Sequence, residues 1–139
     1  MSLLLTLALA LGSGFHSPQR PAPLKEIVAT LVAAEQLTQR TVDERGGPRK
    51  VVDVKSVDLN RDGTPEYFVY CTCEVMESNY VIRQTAKGLE IIYEGTQREV
   101  ITPLKTSTKG WRDIRSTMYR SVDGAHFSIT LRWTGSEYR

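Results

Sequence analysis

The chain has 139 residues, of which 40% are hydrophobic and 24% charged, with a formal net charge of +2. That length suits one domain with its own buried core, and the composition is that of a globular protein rather than a disordered or fibrous one. The net charge is too small for nucleic-acid binding through the whole chain, so no nucleic-acid partner is expected.

Residues 3–11 form an apolar run broken only by Thr6, about the length of a signal-peptide core and too short to span a bilayer. Gly12, Ser13 and Gly14 supply small residues for cleavage before Phe15. Residues 1–14 are therefore expected to be a signal peptide, which makes the mature protein periplasmic or secreted. No second long apolar segment follows, so no membrane span is expected in the mature chain. Residues 15–23, with Pro18, Pro21 and Pro23, read as a linker. Residues 24–139 read as one globular domain.

Residues 24–40 have helical periodicity. Leu24, Ile27, Val28, Leu31, Val32 and Leu37 share one stripe, while Lys25, Glu26, Glu35 and Gln39 lie off it. Gly46-Gly47-Pro48 ends that pattern in a loop. From Val51 the periodicity changes to two. Strands are expected at 51–57, 67–70, 80–84, 89–93, 99–106, 114–120 and 126–133. Ala86-Lys87-Gly88 predicts a tight turn, and Asp123-Gly124 a hairpin between the last two strands. Pro103 marks its strand as an edge or a bulge. The expected fold is α+β and mainly β, an N-terminal helix packed on an antiparallel sheet of about seven short strands.

The charge is divided along the chain. Residues 51–99 hold five Lys/Arg against nine Asp/Glu, and residues 100–139 hold seven against three. Most of these charges read as solvated strand faces, but the acidic middle also contains the most specific motif, Asp58-Leu59-Asn60-Arg61-Asp62-Gly63-Thr64-Pro65-Glu66. Oxygen-bearing side chains stand at relative positions 1, 3, 5 and 9, and glycine stands at 6, where the backbone must turn sharply. A hard cation takes about six to eight oxygens, and such a loop presents them. Asp58, Asn60, Asp62 and Glu66, with the Thr64 carbonyl, are the candidate ligands, and Ca²⁺ is the expected cation. The competing reading is a metal-free turn, because Asp, Asn and Gly cap backbone amides and tolerate left-handed backbone.

The motif is not a helix-loop-helix hand, since position 12 is Val69 and the flanks are strands. It resembles the calcium loops of FG-GAP and VCBS-type repeats. It also resembles the Asp-Leu-Asn-Gly-Asp-Gly-x-x-Glu segment of small exported bacterial proteins of unknown function. The resemblance implies liganding roles for Asp58, Asn60, Asp62 and Glu66. Arg61 departs from the pattern, where a small residue is usual, and Glu66 is longer than the common Asp.

Cys71 and Cys73 are the only cysteines. In an exported protein they read as a disulfide. On a straight strand their Cα atoms would lie ~6.5–7 Å apart, so a bridge needs the chain to bend there. Free thiols are the other reading. Residues 105–114 form a second segment of note. Lys105, Lys109 and Arg112 surround Trp111 and are a candidate partner surface for a protein or envelope polymer. The preferred reading turns Trp111 into the core and leaves the cations in water, since tryptophan is usually mostly buried. Gly110-Trp111-x-Asp113-Ile114 and the closing 133–138 segment are also similar to steps in the same exported proteins.

No catalytic set emerges. His16 and His126 lack a nucleophile or acid at a telling spacing, and there is no phosphate loop, nucleophile elbow or zinc motif. The sequence is expected to encode a non-enzymatic exported domain, a binding module at the cell envelope. The alternative is an inhibitor or immunity protein against an envelope-active enzyme. A wall-polymer hydrolase is a third class, for which no acid pair can be selected.

Overall fold

The computed structural model describes residues 20–38, 50–72, 77–95, 99–120 and 122–139. The helix α1 spans Leu24–Thr38, and the strands are β1 (Lys50–Val57), β2 (Glu66–Thr72), β3 (Glu77–Thr85), β4 (Gly88–Glu94), β5 (Glu99–Thr108), β6 (Trp111–Tyr119) and β7 (His126–Leu131). Among the described residues the molecule is mainly β, with seven antiparallel strands and one short helix. The signal-peptide segment and Cys73 lie outside the described residues. No helix among the described residues is long and apolar enough to cross a membrane.

The strands form two sheets rather than the single sheet expected, one of order β1-β2-β3-β4 and one of order β5-β6-β7. The division is marked at the β4 edge. Val81 pairs with Tyr93 and Ile82 with Ile91, which leaves Ile92 as the extra residue of a bulge in β4. Its carbonyl accepts the Tyr138 amide at 2.9 Å. The C-terminal segment thus occupies the β4 edge, and β5 starts a second layer instead of adding to the first.

Two buried clusters follow from strand alternation. Phe68, Val81 and Ile92 of the first sheet meet Ile114, Leu131, Trp133 and Tyr138, with Leu59 among them. Tyr67, Val69, Tyr80 and Ile82 project from the opposite face and share a cluster with Ile27 and Leu31. A sheet with apolar side chains on both faces carries them at consecutive positions. This explains the runs Tyr67-Phe68-Val69 and Tyr80-Val81-Ile82, all buried. At the start of α1, Pro23 supplies its carbonyl to the Glu26 amide at 2.9 Å. Just before it, the Ala22 amide donates to the Tyr67 hydroxyl at 2.6 Å.

Sequence signals in the turns hold unevenly. The β3–β4 turn closes at Thr85 opposite Gly88. The β6–β7 hairpin exists, but Asp123-Gly124 sits inside a longer loop in which Arg120 donates to Ala125 at 2.9 Å. The β5–β6 turn was not expected. Thr108 pairs with Trp111 around Lys109 and Gly110, whose φ values are 51° and 81°. Positive φ at both central residues matches the twist of a two-residue hairpin, and Lys-Gly supplies it at some cost at the lysine. Pro103 lies in an edge strand and at a register shift, as its lack of an amide hydrogen requires.

Candidate functional site

The 58–66 loop joins β1 to β2, with Val57 paired to Glu66 at its base. Its side chains fold back on its own amides. Asp58 Oδ2 accepts from the Gly63 amide at 3.0 Å, Asn60 Oδ1 from the Asp62 amide at 3.0 Å, and Asp62 Oδ1 from the Thr64 amide at 2.7 Å. Asn60 Nδ2 also donates to Asp62 Oδ2 at 2.9 Å. Two left-handed residues complete the coil, Arg61 at φ 61° and Gly63 at φ 83°. Glycine takes that conformation freely, whereas arginine is strained in it.

One oxygen stands apart. Asp58 Oδ1 is buried without a hydrogen-bond partner, and it is the single such side-chain atom among the described residues. A buried carboxylate oxygen in that condition is costly unless a further group, such as an ion, completes it. Glu66, by contrast, turns inward and is 2% exposed. Its Oε2 accepts the Leu59 amide at 2.7 Å. Burial raises its carboxyl to about 7, opposed by the Leu59 hydrogen bond and assisted by the neighbouring charges of Asp62 and Asp58. As the loop stands, no three histidine, cysteine or acidic side chains among the described residues converge closely enough to hold a metal. A cation here would therefore draw on Asn60 and backbone oxygen as well as on the carboxylates, which suits the all-oxygen shell of a hard ion.

Leu59 anchors this loop to the second sheet. Its side chain is fully buried, and its carbonyl accepts the Arg112 amide at 2.8 Å. Tyr138 donates its hydroxyl to the Arg112 carbonyl at 2.7 Å. Burial, then the nearby Glu66 and Asp113 carboxylates, push that phenol above its ordinary range. Neither Leu59 nor Tyr138 stood out as a site residue in the sequence. The apolar residue between Asp58 and Asn60 was the one signal for the first.

The 105–114 segment lies beside the loop rather than apart from it. Trp111 is half-buried and stacks on Trp133 at 4.3 Å and 20°. Lys109 Nζ donates to the Thr134 carbonyl at 2.7 Å, and Arg112 Nε to the Leu104 carbonyl at 2.7 Å. Lys105 is exposed. Cys71 lies in β2 opposite Val51 and Ser78.

A cleft of about 470 Å³ opens near the meeting of β2, β3 and β5, lined by Phe68, Tyr70, Asn79, Glu99, Ile101 and Tyr119 among others. Its buried polar groups serve the fold. Glu99 is 4% exposed and accepts the Tyr93 hydroxyl at 2.5 Å and the Ser116 hydroxyl. Asn79 donates to the Glu99 carbonyl at 2.6 Å. These contacts tie the two sheets together and present no nucleophile and base pair.

No family model matches the chain, and no curated protein or solved structure matches it at a significant level.

Proposed function

We propose that the chain is an exported, non-enzymatic binding domain, with α1 laid over the four-stranded sheet and a calcium ion clipping the 58–66 loop. The observation that carries the calcium reading is the orphaned, buried Asp58 Oδ1 in a loop whose other side-chain oxygens are already ordered. Asp58, Asn60, Asp62 and the Thr64 carbonyl would hold the ion, with Glu66 closing the base of the site. When bound, the ion would neutralise the mutual repulsion of the acidic side chains. The loop is anchored through Leu59 to the second sheet, so the ion would act as a structural clip for the region where the sheets meet.

The envelope role rests on the signal-peptide pattern of residues 1–14 and on the lack of a catalytic set in the sequence. The test is thermal melting of the chain in chelator and in millimolar Ca²⁺. Calcium should raise Tm, and Asp58→Asn with Asp62→Asn should abolish the difference. Equal melting of the unaltered chain under both conditions would refute the calcium clip. The binding role is tested separately, by retention of the chain on envelope polymers and by capture of a stoichiometric protein partner. Failure of both sinks it.

A further inference from the structure

The strand β7 ends the second sheet, and no described strand pairs with its far side, though just past its end Arg132 exchanges backbone hydrogen bonds with Arg139. An uncovered end strand presents a row of amide and carbonyl groups ready to pair with another chain. Natural edges are usually blunted by lysine, proline or a bulge. This one, His126-Phe127-Ser128-Ile129-Thr130-Leu131, has neither lysine nor proline, and its pairing with β6 runs without a register shift.

Its two faces differ in chemistry. Ile114, Ser116 and Met118 of β6 stand opposite Leu131, Ile129 and Phe127. That is the face of the buried core, for Ile114 and Ser116 are fully buried and Leu131 is 5% exposed. Cover then runs out, leaving Ile129 47% and Phe127 42% exposed. On the opposite face Arg115 stands across from Thr130, and Arg132 lies two residues beyond Thr130. Both arginines are exposed, and neither guanidinium has an ion pair or hydrogen bond among the described residues. Their neighbours differ, since Arg120 pairs with Asp123 and Arg139 with Glu137.

We propose that β7 is a docking edge for an extended segment of a partner protein whose side chains alternate acidic and apolar. The incoming strand would lie ~4.8 Å from β7, with side chains on either face repeating every ~6.8 Å. It would pair along residues 126–130, short of Arg132, whose backbone Arg139 already holds. Its apolar residues would cover Phe127 and Ile129, and its acidic ones would face the Arg132 guanidinium at the strand end and, one strand further in, Arg115. A second copy is a poorer occupant. Antiparallel pairing of two β7 strands would bring both sets of arginines into one interface, and like charges there are costly. The inference rests on the reading of the domain as a binding module. It does not rest on the calcium clip, whose melting test is read separately.

The experiment is a titration of the full chain with an octapeptide alternating glutamate and valine, followed by calorimetry and by amide NMR shifts. Saturable binding is expected, with the largest shifts in β7. Three controls should each lose about tenfold or more in affinity. They are the peptide with lysine for glutamate, the peptide N-methylated on alternate residues, and the Arg115→Glu, Arg132→Glu variant. Because the first two alter only the peptide, they hold whatever the variant does to folding. Absence of binding, equal binding of the lysine peptide, or concentration-dependent dimerisation through β7 would overturn the proposal.

Discussion

The carbonyl of Leu59 and the amide of Arg112 meet at 2.8 Å, and through that bond the acidic loop of one sheet is fastened to the second. The Leu59 side chain sits in the cluster between the sheets with Phe68, Ile114 and Trp133. Replacing it with alanine removes a fully buried side chain from a place that the loop cannot easily collapse into. Leu59→Ala should cost about 2–5 kcal/mol in urea denaturation. It should also weaken any calcium-dependent shift in melting, because the loop loses its anchor.

Glu66 sets the sign of a pH dependence. In the metal-free chain burial raises its carboxyl from 4.5 to about 7. A raised carboxyl holds its proton more tightly in the folded state than in the unfolded one. Its stabilising contribution is therefore full below the unfolded value and is lost as pH rises through about 7. In chelator the urea midpoint should fall across that window, and Glu66→Gln should flatten the fall. Calcium, which favours the ionised loop, should stabilise progressively more across the same window.

Gly95 is a second point of close approach. A Cβ there would lie 1.8 Å from Glu99 Oε2 and 3.1 Å from Tyr93 Cε1. Glu99 is buried and bonded to Tyr93 and Ser116, so it cannot simply swing into water. Gly95→Ala should destabilise the chain by about 1–3 kcal/mol. Glu99→Gln, which preserves volume, separates the steric effect from the loss of charge when both are measured by thermal melting.

The stacked rings of Trp111 and Trp133 offer a direct measure of how firmly the 105–114 segment is held. A double-mutant cycle through Trp111→Leu and Trp133→Leu should return a coupling of about 0.5–1.5 kcal/mol. A coupling near zero would mean that the two indoles do not stack in solution.

Strand positions were legible because alternation and turn residues act locally. Each of the seven expected strands has a counterpart, shifted by a few residues at its ends. The split into two sheets was not legible. It depends on Tyr138 reaching Ile92 across the chain, and no local pattern encodes which edge a distant segment takes. The Lys109-Gly110 turn carried a weak signal, because lysine is uncommon at positive φ and hid the hairpin beside a tryptophan. In the acidic loop, spacing located the side chains that cap its amides. The inward turn of Glu66 depends on burial supplied by residues far along the chain, and the spacing looked the same for an outward ligand and an inward clamp.

Residues 131–139 set an order of assembly. Arg132 and Arg139 exchange hydrogen bonds at 2.7 and 3.1 Å, and Tyr138 closes on Ile92. Leu131, Trp133 and Tyr138 supply one wall of the cluster between the sheets. These residues follow the whole first sheet in the chain, and chains emerge N-terminus first. The first sheet must therefore wait with one apolar face open to water until residues 131–138 arrive. During that interval the growing chain carries an open apolar surface, the kind that invites misassembly, until Leu131, Trp133 and Tyr138 close it.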